Sequence, residues 1–382
     1  MPAPTDRLPL GLQPGGLALH IGVHKTGTTA IQAALANSRP VLDTWGVRYP
    51  GEGQAHRLIA SSAMGRRLGW RVGGSAAPDP HAWTDFVKDA HAYRGITVCS
   101  SEFFAESSTE TAQGIVDKIG KDRTHVIITL RNLGRILPSA WQQILKSGYE
   151  TAYIPWLTHV LTATDLEPKA ETFWIRHRHD EVVERWARIA GPERVTVVVV
   201  DDAERDGIYR NFENLLGLPD DTLLNHRDAA PNRSMTLAEA ELLRQLNISL
   251  GGGKGWRPFS DQVHDGLIKA MIERRIPGSD ETRMQTPQWA LDRAAELARI
   301  YVDVIRASGV NVVGDLGVLS EHLQGPEVVE EVPPISMPIS AAMTAMLGAL
   351  DGSRPSAELS TSARLKRRVK KLQTELRAKG RP

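Results

Sequence analysis

The chain of 382 residues has one cysteine, Cys99. A lone thiol excludes an intrachain disulfide and a zinc site built from several cysteines, and it is the cysteine usage of a reducing compartment. Long hydrophobic runs are also missing: none approaches the roughly 20 residues that would span a bilayer. The opening stretch MPAPTDRLPLGLQPGG lacks the basic start, apolar stretch and cleavage site of a secretory leader. Residues 1–16 are therefore expected to be a flexible lead-in, and the protein to be cytoplasmic. Neither charge is in large excess, with 46 Lys and Arg against 45 Asp and Glu for a net +1. The molecule as a whole thus offers no basic field to nucleic acid. There is no internal repeat.

With 41% hydrophobic and 24% charged residues, the chain can bury a sizeable core as one large domain or two modest ones. Apolar runs recur, each followed by a longer stretch with helical spacing, which is the pattern of a parallel sheet covered by helices on both faces. The expected strands are LALHIG (17–22), ITVCS (96–100), HVIITL (125–130) and RVTVVVV (194–200), β-branched enough to be buried on both sides. Helices are expected near 28–37, 134–147 and 207–216. The fold class is α/β, a P-loop or Rossmann-like parallel sheet flanked by helices, over residues 17–325. Beyond about Asp228 the pattern becomes helical without strands, at 236–246, 261–275 and 288–307, a mostly helical cap to about residue 325. Residues 326–361, which include EVVEEVPPISMPIS, read as a linker.

The balance of charge is uneven along the chain. From Ser362 to the end, nine basic residues face one acidic residue, a net +8, so the rest carries −7. In this tail Leu365, Val369, Leu372 and Leu376 step by four, three and four, a narrow apolar stripe in a basic surround. The stripe is too short for a coiled coil. Residues 362–382 read either as a dimerising helix, as a basic amphipathic helix on an anionic membrane, or as a solvated tail.

The segment LALHIGVHKTGTTAIQAAL carries the chemistry. A strand ending at Gly22, a turn, and a helix starting at Thr28 or Thr29 put free N–H groups and the positive end of a helix dipole at one point, where an anion belongs. An ATP-binding loop reads G-x-x-x-x-G-K-[ST]. Gly22 and Gly27 keep its five-residue step, but the Lys position is Thr28 and the cation is Lys25, inside the turn. A transferable triphosphate needs a metal to neutralise clustered charge. A sulfuryl group carries one negative charge, which a Lys with hydroxyl and N–H donors can handle without a metal.

The stretch HKTGTT resembles the 5′-phosphosulfate loop of sulfotransferases that use 3′-phosphoadenosine 5′-phosphosulfate (PAPS). The resemblance implies that Lys25 contacts the 5′-phosphate and the bridging oxygen of the leaving group. Thr26, Gly27, Thr28 and Thr29 would then supply backbone and hydroxyl donors, with His24 beside them. In that family a strand ends in Arg and a Ser follows eight residues later on the next helix, both gripping the 3′-phosphate; HVIITLRNLGRILPSAWQQILKSG places Arg131 and Ser139 at that spacing. An Arg at the carboxyl end of a parallel strand faces the ligand crevice and offers a planar fork to phosphate. The wording of LRNLGRILPSAWQQ and FWIRHRHDEVVERWA is most similar to the bacterial branch. The resemblance covers these motifs and the frame from about Leu17 to Leu216. Arg135 and Gln142 read either as site-lining or as helix-surface residues.

Sulfuryl transfer also needs a base for the acceptor. At the place where the family carries a His or Glu past its second strand stands ITVCSSEFFAE, so Glu102 is the first candidate, with Ser101 its neighbour. His56, in GEGQAHRLIAS, is the second. His20, inside a strand, reads as a packed core group. The run RHRHDE, with His177 and His179, reads as a solvated charged face rather than a metal site. VTVVVVDD resembles the strand and Asp that hold Mg²⁺ in P-loop ATPases, but without a Lys-Ser/Thr pair in the loop, Asp201 and Asp202 are expected to end the strand and cap the next segment. In GGGKGWRP, Lys254 and Arg257 could cover the 3′-phosphate as a late basic stretch does in the family, although the order differs.

The expected activity is transfer of a sulfuryl group from PAPS to a hydroxyl or amine of a small-molecule, carbohydrate or glycolipid acceptor, with no metal. A P-loop small-molecule kinase and a non-catalytic nucleotide-binding scaffold are the alternatives.

Overall fold

Because the apolar runs are buried on both faces, they pair as a parallel sheet rather than as hairpins. The computed structural model describes residues 9–69, 78–162, 168–204, 206–227, 233–251, 259–329 and 336–353. Its strands are β1 (Gly16–His20), β2 (Val47–Arg48), β3 (Ile96–Ser100), β4 (Thr124–Arg131), β5 (Val195–Val200) and β6 (Asn311–Val313). They form one sheet in the order β2-β3-β1-β4-β5-β6, every neighbouring pair parallel. Alternate residues of each strand serve different layers. Leu17, Leu19 and Ile21 join Val126, Ile128, Val195 and Val197 in one core, while Ala18 joins Val98, Ile127 and Val198 in the other.

Topology places the site. From β1 the chain goes to β2 and β3 on one side, whereas β4 leads to β5 and β6 on the other. The crevice between the carboxyl ends of β1 and β4 is therefore the switch point where ligands of open parallel sheets bind. Helix Thr28–Asn37 leaves β1 and helix Leu133–Leu145 leaves β4, so the segments HKTGTT and 131–139 both meet that crevice.

Several expectations need correction. The sheet has two strands more than the four expected. The region beyond Asp228 is not strand-free: β6 pairs with β5, and helix Gln288–Ala307 sends Val302 and Ile305 into the sheet's core. The segment 326–361 holds a helix, Ile339–Ser353. Within the lead-in, Leu12 is buried and Gly16 already belongs to β1. The expected helix at 261–275 is a π-helix, Phe259–Ile268, continued by Lys269–Arg274. The basic tail 362–382, Lys254 and Arg257 lie outside the described residues. Among those described, no helix is long and apolar enough to cross a membrane.

Candidate nucleotide and sulfuryl-transfer site

After β1 the chain runs on along β4, the Ile21 N–H donating to the Ile127 carbonyl (3.0 Å) and the Val23 N–H to the Thr129 carbonyl (3.1 Å). It then turns sharply, with Gly22 (φ 49°), Lys25 (φ 69°) and Gly27 (φ 81°) all left-handed. For Lys25, with a Cβ, that conformation costs on the order of 1–2 kcal/mol. The Thr26 hydroxyl holds the turn: it donates to the Val23 carbonyl (2.8 Å) and meets Thr129 Oγ1 at 2.7 Å. Gly27 is the N-cap of the following helix and has no side chain to cap it. Consequently the N–H groups of Gly27, Thr28 and Thr29 find no acceptor among the described residues. Thr28 Oγ1 is likewise buried without a partner. A buried hydroxyl is rarely left unsatisfied, and together with the free N–H groups and the helix dipole it fits an anion.

A side chain at position 22 would fill this cradle, because its Cβ would lie 2.5 Å from Thr28 Oγ1. Gly22→Ala combines that clash with positive φ. It is expected to lower stability by about 1–3 kcal/mol, measurable as a drop in the urea midpoint at unchanged slope.

Lys25 is half-buried and donates from Nζ to Gln143 Oε1 at 2.8 Å. Burial pushes its pKa down to about 7; the nearby charge of Lys146 pushes the same way, Glu102 opposes it, and Arg176 adds to it. Lys146 is itself lowered to about 8, chiefly by burial and then by Arg233. Two ammonium groups whose charged forms are both disfavoured, by burial and by neighbouring cations, make a place that gains from an anion.

Arg131, the last residue of β4, binds Asp202 with both sides of its fork, Nε to Oδ2 at 3.0 Å and Nη2 to Oδ1 at 2.5 Å. Its Nη1 lies 3.5 Å from the Lys25 carbonyl. The two motifs, about a hundred residues apart in sequence, thus meet. Helix Leu133–Leu145 starts beside them, with Asn132 accepting from the Gly134 N–H. Arg135 Nε is 3.8 Å from Asp202, and Gln143 holds Lys25. Ser139, half-buried, is four residues from each and so shares their face. Gln142 points elsewhere, bonded to both backbone polar groups of Met235 (2.9 and 3.1 Å), so it neither lines the site nor lies on the surface. Asp201 accepts from the Ala203 N–H, as a strand-ending cap does. Asp202 departs from that expectation by taking Arg131.

Glu102 opens a 3₁₀ turn, Glu102–Glu106, directly after β3. Its Oε2 is 3.4 Å from Gln32 Nε2, and its charge is felt at Lys25. Beside it the Ser101 hydroxyl is buried without a partner. His56, the second candidate base, is turned to backbone. Its Nδ1 accepts from the Ser100 N–H (3.1 Å) while Nε2 faces the Pro50 carbonyl (2.8 Å), and burial pushes its pKa down to about 4. With both nitrogens on backbone, it ties the segment before helix Arg57–Ala63 to β3.

His24 turns away from the helix N-terminus to Glu106, Nε2 to Oε1 at 2.9 Å; Arg66 (2.7 Å) and Arg176 (2.9 Å) hold the same carboxylate. Burial alone would raise the pKa of Glu106, but the His24 hydrogen bond and the charges around it hold the carboxyl well below its usual range. His20 is a core group as expected, bonded to Ser100 and Thr129 and kept neutral by burial at about 3. The solvated reading of His177 and His179 is overturned. Both are buried at the junction of helices Pro168–His177 and His179–Ala190, and burial lowers the pKa of each. No group of three potential metal ligands occurs among the described residues. Gln143, Lys146, Glu106, Arg176 and Asp202 went unseen in the sequence as parts of this site. Gln143, one helical turn beyond Ser139, and Asp202, at the end of an apolar strand, had a positional signal.

The structure is a parallel α/β fold with a strand–turn–helix at its switch point whose first helical N–H groups are uncapped, and an Arg at the end of the adjacent strand that reaches the turn. No protein-family model matches the chain, and no curated protein matches it. Among solved structures, a sulfotransferase from Alicyclobacillus acidocaldarius is similar at 19% identity and a TM-score of 0.41, covering 61% of this chain and 92% of that one. A likeness of that size leaves the function to the site itself.

Proposed function

We propose that the protein is a sulfotransferase that moves the sulfuryl group of PAPS to a hydroxyl or amine of a small-molecule, carbohydrate or glycolipid acceptor. The observation that carries this reading is the approach of Arg131 to the Lys25 carbonyl (3.5 Å). It joins a cation inside the turn to a planar fork on the next strand, a pair suited to two separate anionic groups of one nucleotide. The unpartnered Thr28 hydroxyl and the cradle above Gly22 fit the 5′ end. In this reading Glu102 takes the acceptor's proton as the acceptor atom bonds to sulfur, and the bond from sulfur to the 5′-phosphate oxygen breaks. Lys25 then faces the negative charge that grows on the departing phosphate. Arg131 and Ser139 hold the 3′-phosphate and fix the donor in line. The acidic pair that resembles a kinase's metal-binding strand end is otherwise engaged, Asp201 in its turn and Asp202 with Arg131.

Thermal unfolding with added nucleotides tests this. At a hundredfold excess over its Kd, 3′-phosphoadenosine 5′-phosphate is expected to stabilise the fold by about 2.7 kcal/mol. ATP and ADP at the same concentration should give far smaller shifts, insensitive to Mg²⁺. Equal shifts from all three nucleotides would overturn the reading.

A further inference from the structure

The helix Ile339–Ser353 is packed the wrong way round for a water-soluble surface. The side it turns to the protein carries small residues: Ala341 and Ala345 are buried, and Gly348 is so close to the π-helix and the helix Lys269–Arg274 that continues it that a Cβ there would lie 2.5 Å from Ala270 Cβ and 2.7 Å from the Gly266 carbonyl oxygen. The opposite side carries the large apolar residues. Ile339 is 82% exposed, Met343 46%, Met346 54% and Leu347 53%. Positions 339, 343, 346 and 347 fall on one stripe, about 100° wide, and 341, 345 and 348 fall opposite. Helices usually bury their large residues and expose small or polar ones. A contiguous stripe of the reverse kind marks an interaction surface.

Charge selects the partner. The stretch 354–382, which continues this helix's sequence, has ten basic residues against two acidic, a net +8, while residues 1–353 carry −7. An anionic surface therefore attracts this end of the chain and repels the rest, which sets a direction of approach. A second copy would bring two +8 stretches together, and their repulsion opposes pairing through this face. We propose that the Ile339–Ser353 face docks in the plane of an anionic lipid membrane, its apolar stripe entering the headgroup boundary and the basic stretch after it meeting the lipid phosphates. At 15 residues, with Arg274 tied to its Asp351 at 2.7 Å, the helix lies on such a surface rather than across it. This inference is independent of the sulfuryl-transfer reading.

The test is flotation of the full chain with vesicles of phosphatidylcholine alone and with about 30 mol% phosphatidylglycerol. Binding is expected to the anionic vesicles only and to weaken as salt is raised. The triple variant Met343→Ser/Met346→Ser/Leu347→Ser should bind on the order of ten-fold or more weakly. Its urea midpoint should match the wild type; if the triple variant is destabilised, Met346→Ser alone replaces it, with a smaller loss in the same direction. Light-scattering mass without vesicles covers the other occupant. A dimer dispersed by the same substitutions assigns the face to a second copy and overturns the proposal. So does absence of vesicle binding, or vesicle binding that the variants retain in full.

Discussion

Lys25→Met is expected to lower kcat by about 10²–10³-fold, the usual loss when one preorganised donor to transition-state charge is removed. Methionine keeps the length of the side chain and lacks only the ammonium, so the turn set by Gly22, Thr26 and Gly27 remains. Stability should hold or rise, because the half-buried Lys25 ammonium lies near the like charges of Lys146 and Arg176. The pH profile gives a second readout. Burial brings the Lys25 pKa to about 7 in the free protein, and the charged form is the useful one. Hence kcat/KM, which reports groups of the free enzyme, should fall as pH rises through about 7. Lys25→Met should lack that limb. The assay tracks release of 3′-phosphoadenosine 5′-phosphate from PAPS with any acceptor that supports turnover. A variant with near wild-type kcat would remove Lys25 from the chemistry.

The range of the forces involved explains why the fold is legible in the sequence and part of the site is not. β3 and the helices Thr28–Asn37, Gly207–Leu216 and Gln288–Ala307 carry their signals locally, as apolar period and turn residues, and they fall where the sequence places them. β2 and β6 carry no such signal. Val47–Arg48 and the largely exposed Asn311–Val313 are strands because β3 and β5 offer them an edge. The same division runs through the site. A phosphate-type loop announces itself because glycine is needed at fixed steps, and an Arg at a strand end has one direction to face. The capture of both His56 nitrogens by backbone, the gathering of His24, Arg66 and Arg176 on Glu106 and the pairing of Asp202 with Arg131 are tertiary events that no local pattern encodes, most of them joining segments 40 to 82 residues apart. The helix Ile339–Ser353 escaped for another reason. Its sequence is Ala-, Ser- and Met-rich between proline-containing stretches, and its large residues do not face the core that would have announced it.

Arg131→Ala is expected to abolish discrimination between 3′-phosphoadenosine 5′-phosphate and adenosine 5′-phosphate, a difference of about 10²-fold or more in Kd in the wild type if a charge-assisted fork holds the extra phosphate. Affinity for adenosine 5′-phosphate should change little, since in the proposed mode its one phosphate sits at Lys25. What the 3′-phosphate gains is a difference, however, because the fork is already bonded on two sides by Asp202. A dianionic phosphate can displace a single carboxylate where a weaker anion cannot, and Arg135 Nε, 3.8 Å from Asp202 Oδ2, offers the displaced group another cation. Asp202→Asn removes the competing charge while keeping the shape. It should therefore tighten binding of the 3′-phosphorylated nucleotide and leave adenosine 5′-phosphate nearly unmoved, the opposite sign from Arg131→Ala. Calorimetric titration of both nucleotides against the two variants gives all four affinities. If Arg131→Ala keeps the full preference, the 3′-phosphate is held elsewhere. If Asp202→Asn weakens binding instead, Asp202 orients the guanidinium rather than competing for it.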